Sequence, residues 1–94
     1  MKLFRKGSIN LLTVCDSDLI GEKIETPNGI YMVEEDFYGS EDMNIDEITG
    51  SLIQANVVNI LGKRVVKWFI EREYINEYEI ISLEGVPHSQ FYLL

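Results

Sequence analysis

Ala55-Asn56-Val57-Val58-Asn59-Ile60-Leu61-Gly62-Lys63-Arg64-Val65-Val66-Lys67-Trp68 gathers three of the chain's eight cations, a glycine and the only tryptophan. It reads as the start of a helix. Val65, Val66, Phe69 and Ile70 recur at the 3.6-residue period, which predicts a helix from about Lys63 to Tyr74 with that stripe turned to the core. Upstream, Asn44 followed three residues later by Glu47 makes a capping-box-like start, and Asp46 and Glu47 suit the positive end of a helix dipole. A first helix is therefore expected from Ile45, with Ile48, Leu52 and Ala55 on the same face as Ile45. Gly50 weakens that helix by about 1 kcal/mol relative to alanine.

Outside these two helices the patterning is that of strands and turns. Leu3 to Lys6 and Ile9 to Cys15 predict a hairpin around Gly7-Ser8. Asp16-Ser17-Asp18 offers capping oxygens, but Gly21 closes the segment after at most one helical turn. Pro27-Asn28-Gly29 is a turn, because proline sets φ and Asn-Gly tolerates the left-handed region, so Ile30 to Glu34 is the next strand. Glu34 to Glu47 holds seven acids around Phe37-Tyr38 and reads as an exposed loop without regular structure. Tyr78 to Leu83 and Ser89 to Leu94 flank Glu84-Gly85-Val86-Pro87-His88 as a closing hairpin. The expectation is one compact α+β domain over residues 1–94, with a mostly antiparallel sheet of about four or five strands packed on two helices.

Composition narrows the function classes. Ninety-four residues, 46% apolar and 26% charged, suit a single core. The longest apolar run, Ile9 to Cys15, falls far short of the roughly 20 residues of a membrane span. Met1 to Lys6 lacks the apolar segment of a secretory signal, which points to the cytoplasm. Cys15 has no partner in the chain, so neither a disulfide framework nor a cysteine zinc cluster is expected. A net charge of -8 and a pI near 4.5 oppose attachment to nucleic acid or anionic lipid through the whole-molecule field, so such a contact has to be local.

That local contact is expected on the helix beginning near residue 63. Trp68 projects about 130° from the apolar stripe, and Arg64, Trp68 and Arg72 stand four apart, an indole between two guanidinium groups. The plainer alternative buries Trp68 under the first helix with the arginines covering it. Lys63 and Arg64 occupy a first turn where the dipole disfavours cations, which suggests a bound anion approached closely at Gly62. A phosphate-binding P-loop is excluded, because Val57 and Arg64 stand where glycine and a hydroxyl are required. Lys67 and Glu71 one turn apart offer instead a solvated, neutralised basic face. His88 in its Gly-Val-Pro-His turn is read as a cap, or less simply as a base, and a Cys15–His88 hydrolase would require both in one cleft. Asp42, Asn44 and Asp46 match three positions of a calcium-binding loop, but Glu47 and Ile53 stand where glycine and glutamate are needed. No metal, cofactor or catalytic residue is expected.

Four stretches carry a family resemblance: Cys15-Asp16-Ser17-Asp18-Leu19-Ile20-Gly21, Glu35-Asp36-Phe37-Tyr38-Gly39, Ala55-Asn56 through Gly62-Lys63-Arg64, and Gly85-Val86-Pro87-His88-Ser89-Gln90. Together they resemble the archaeal family of small proteins labelled domain of unknown function 424, whose usual ending is Gly-Val-Pro-His-Ala-Gln; Ser89 replaces the alanine. The resemblance implies an archaeal cytoplasmic setting and a compact α+β fold, with no activity to carry over. It singles out Asn56, Asn59, Gly62, Arg64, Pro87 and His88 as turn formers or contacts. The functional expectation is a noncatalytic binding module for an anionic partner, structured RNA first, through Asn59, Gly62, Lys63, Arg64, Lys67, Trp68, Arg72 and His88. The alternatives are a protein-interaction or homodimerisation module using Trp68 or an edge strand, and a small hydrolase using His88.

Overall fold

The computed structural model describes residues 1–93. Its sheet has five strands in the order β1-β2-β5-β7-β6: β1 Lys2–Lys6, β2 Ile9–Cys15, β5 Val57–Leu61, β7 Val86–Tyr92 and β6 Ile81–Leu83. All neighbours run antiparallel except β2 and β5, which are parallel with Cys15 beside Leu61. A separate ribbon pairs β3 Lys23–Thr26 with β4 Gly29–Met32. Three helices complete the chain: α1 Glu35–Tyr38, α2 Ile45–Leu52 and α3 Lys63–Glu71. The fold is α+β, as the patterning predicts.

The principal surprise is β5. The sequence patterning assigns no strand to Val57–Leu61, yet it is the central strand, with every residue buried. Its near-continuous apolar run lacks alternation because both faces of the sheet are covered there, and a parallel neighbour is typical of such strands. On one face Leu12, Val14, Val58, Ile60 and Phe91 meet Ile48 and Leu52 of α2 and Val65, Val66 and Phe69 of α3. On the other, Cys15 and Leu61 meet Ile24 and Val33 of the ribbon region and Tyr38 of α1. Three layers result, helices against sheet against ribbon.

Other boundaries shift for local reasons. Within the acidic stretch expected to be irregular, Glu35–Tyr38 forms one helical turn because Tyr38 has a buried place to fill, 1% exposed. α2 starts at Ile45 with the Asn44 side chain accepting from the Glu47 amide at 3.0 Å. α3 stops at Glu71, short of Tyr74, and Glu73 turns the chain back with φ of 62°. Glu77–Glu79, whose last two residues were expected to open a strand, is a 3₁₀ turn capped by Asn76. Glu84 and Gly85 both have positive φ, the two-residue turn that suits a twisted hairpin, so β7 begins at Val86. His88 is consequently a strand residue and not a turn cap.

Candidate functional site

The helix start chosen from sequence already holds an anion, and that anion belongs to the chain. The β2/β5 register brings Asp16, the residue after β2, against the first turn of α3. One carboxylate oxygen accepts from the Arg64 amide at 3.0 Å, the other from the Val65 amide at 2.9 Å. Gly62 makes this fit possible. Its φ is 113°, and an added Cβ would lie 2.4 Å from Asp16 Cγ. Free helix amides at a positive dipole end do attract an anion, and Asp16, 5% exposed, satisfies that demand from within.

The neighbouring cation is occupied too. Arg64 donates to Asp42 at 3.1 Å and lies 4.0 Å from Asp18. Asp42 also accepts from the Met43 amide and from Ser17 Oγ; the amide first, the hydroxyl and Arg64 after it, hold its carboxyl below the usual range. The adjoining cleft, about 590 Å³, is lined by Asp16, Asp18 and Glu84 as well as by Lys63 and Arg64. It offers no excess of positive charge. Lys63 and Lys67 are exposed.

Trp68 is not displayed. It is 9% exposed, edge-on to Phe69 at 4.9 Å and stacked with Tyr74 at 6.1 Å, while the Arg72 guanidinium covers its ring at 5.1 Å. The plainer sequence alternative holds in part: the indole is buried and Arg72 covers it, but its aromatic partners are Phe69 and Tyr74, and Arg64 is turned to Asp42 instead. His88 and Cys15 share a sheet face but flank Leu61, since Cys15 pairs with Leu61 and Leu61 with His88. Two strand spacings, about 9.6 Å, separate them. Burial pushes the Cys15 thiol up to about 12, with the charges of Asp16 and Asp18 adding to the effect. A protonated, distant thiol is no partner for an imidazole. Desolvation in turn lowers the His88 pKa, and its buried Nε2 has no hydrogen-bond partner. Among the described residues, no three metal-ligating side chains converge and no helix is long and apolar enough to cross a membrane.

Sequence reasoning passed over a different surface. Paired residues on neighbouring strands project from the same face, so the ribbon side of the sheet carries two legible rows. One is Phe4, Leu11, Val57 and Tyr92; the next is Lys2, Thr13, Asn59 and Gln90. α1 covers part of the first rows, with Phe37 stacked on Phe4 at 5.8 Å and its carbonyl accepting from Thr13 Oγ1 at 2.6 Å. Beyond it lies an uncovered groove of about 480 Å³ lined by Ser8, Ile9, Leu11, Asn56, Val57, Gln90, Tyr92 and Leu93. Tyr92 is 73% exposed and Ile9 54%. No acid lines it, and Lys6 pairs with Ile9 at its rim.

The missed signal was where acids are absent. All sixteen fall within residues 16–47 and 71–84. Residues 1–15, 48–70 and 85–94, which contain β1, β2, β5 and β7, have none. Three of the eight cations, Lys2, Arg5 and Lys6, stand in β1. Of the residues singled out from sequence, Asn56 lines this groove, and Asn59, 6% exposed, lies beside Gln90 on the neighbouring strand.

Comparison with known proteins agrees with the fold and assigns no chemistry. No curated protein matches the chain. A crystal structure of an uncharacterized conserved protein from Methanopyrus kandleri is similar, with a TM-score of 0.83 and 26% identity over 99% of this chain and 89% of that one. The model of the family described as "Protein of unknown function (DUF424)" matches residues 4–94, essentially the whole length, and the chain belongs to that family.

Proposed function

We propose that the protein is a noncatalytic module that binds unpaired RNA across the acid-free end of its sheet. One observation carries the reading. In a chain of net charge -8, the groove at the sheet end has no acid in its lining, presents the exposed Tyr92 ring and the exposed Gln90 amide, and has Lys6 at its rim. Anionic partners are repelled by the remaining surface and accepted here. A flat sheet face with aromatic rings suits stacked bases, which gain about 1 to 3 kcal/mol each, while lysines at the edge meet phosphates. Tyr92 offers the open ring; Phe4, at the other end of the same four-strand row three strand spacings or about 14 Å away, is stacked on Phe37. The reading moves the contact away from α3, whose amides and Arg64 are engaged within the chain. Edge pairing through β1 is disfavoured by its own Lys2, Arg5 and Lys6. An archaeal cytoplasmic setting belongs to the same proposal, its archaeal part supported by the source of the structural neighbour.

The test is fluorescence anisotropy of labelled r(U)8 against salt. Binding at low salt should weaken about tenfold in Tyr92→Ala, and Lys6→Ala should reduce the slope against log salt by about 0.7. Replacing Lys63, Arg64 and Lys67 together should leave both nearly unchanged. No binding at low salt, or binding lost only in the triple variant, would refute the assignment. Preference for an octaglutamate peptide over r(U)8 would make the partner an acidic protein segment.

A further inference from the structure

We infer that Gln90 reads a base edge on this face and selects bases that carry a ring carbonyl oxygen, which sets adenine apart from the other three. The inference rests on the proposed RNA contact and adds its specificity. Behind Gln90 runs a directed chain of hydrogen bonds. Tyr31 Oη and Tyr38 Oη are 2.9 Å apart, Tyr38 Oη donates to Asn59 Oδ1 at 2.7 Å, and Asn59 Nδ2 donates to Gln90 Oε1 at 2.9 Å.

Tyr38 and Asn59 are buried, at 1% and 6% exposure, so this polarity is maintained out of competition with solvent. With the oxygen of Asn59 taken by Tyr38, its amino group faces Gln90. That in turn draws the Gln90 oxygen inward and leaves Nε2, a donor only, toward the open face. A relay with two buried members, Tyr38 and Asn59, behind an exposed amide is not required for packing alone. Apolar residues would fill the same space without polar desolvation.

Tyr92 lies two residues along β7 on the same face, roughly 7 Å away, and is the most exposed ring beside the groove. A base stacked on Tyr92 projects its edge over Gln90. Uracil, cytosine and guanine each offer a carbonyl oxygen to the outward amino group. Adenine offers only ring nitrogens, and the two-bond pairing of an amide with adenine N6 and N7 needs the Gln90 oxygen, which is drawn inward by Asn59.

The experiment compares r(U)8 with r(A)8 for the wild-type protein and three variants. A single hydrogen bond of ordinary strength gives the wild type a preference of about three- to tenfold for r(U)8. Gln90→Glu keeps an acceptor for Asn59 but turns an acceptor outward, and should bring the ratio to one or reverse it, whatever happens to overall affinity. Gln90→Ala should bring it to about one. Tyr38→Phe tests the positioning chain: with Tyr38 no longer donating, Asn59 is free to turn over, and the ratio should fall while thermal unfolding shows a folded protein. Self-stacking of r(A)8 is common to all four proteins, so the change in ratio is the readout. A ratio unaltered by both Gln90 variants, or a wild-type preference for r(A)8, overturns the inference while leaving RNA binding intact. Absence of binding to either oligonucleotide overturns the proposed function itself.

Discussion

The first turn of α3 and the uncovered end of the sheet are both basic spots on an acidic molecule, and they differ in what surrounds the cations. At α3 the chain supplies its own counterions. Asp16 takes the helix amides and Asp42 takes Arg64. At the sheet end no acid is present to do so. On the proposed function, a cluster of cations is a poorer marker of a binding site here than a stretch free of acids. The α3 cluster is structural cement between β2 and the helix; on the proposed function, the sheet end is where a partner is met.

The sharpest way to break this contrast is to disturb the cement. Gly62→Ala should lower unfolding free energy by about 3 kcal/mol, since its Cβ would collide with Asp16 and its φ disfavours any side chain. Asp16→Ala leaves the cap unmade and should cost about 2 kcal/mol. Urea denaturation measures both. If either is neutral, the carboxylate is not what holds the helix start.

Next in size is the opposite behaviour at the sheet end. Tyr92→Ala should reduce RNA affinity about tenfold yet change stability by less than about 0.5 kcal/mol, because the side chain is mostly in solvent. A large loss of stability there would mean that the face is core and not a contact. Arg64→Ala gives the smaller complement: a solvent-exposed ion pair contributes little, so stability should fall slightly and RNA affinity not at all.

The smallest effect is in pH. His88 has a folded pKa below its ordinary 6.5 because burial disfavours the imidazolium. The unfolded chain thus binds the proton more readily, and stability declines as pH falls below about 6.5 until the folded imidazole also titrates. Thermal unfolding between pH 7 and 5 should show a decline that His88→Gln lessens. An unchanged pH profile would place the ring in water.

Much of the fold was readable because its signals are local. The Gly7-Ser8 hairpin, the Asn44 cap and the α3 stripe each depend on neighbours a few residues away. β5 was hidden because a strand buried on both faces loses its alternation, and because its partners, β2 and β7, lie some thirty or more residues distant. The same blindness affected the site. Lys63, Arg64 and Trp68 looked available in one dimension, since Asp16, 48 residues from Arg64, and the stacking of Tyr74 appear only after folding. Conversely, Phe4, Leu11, Val57 and Tyr92 form a row only through strand register. What the sequence did offer for that row was the distribution of its acids.

The central claim, that the protein meets its partner on the sheet end and not on α3, is tested most directly by amide chemical-shift mapping during a titration with r(U)8 at low salt. The account predicts shifts concentrated at Lys6, Ile9, Leu11, Val57, Gln90 and Tyr92, with Lys63 through Lys67 unmoved. Shifts centred on Gly62 to Lys67, or none anywhere, would contradict it.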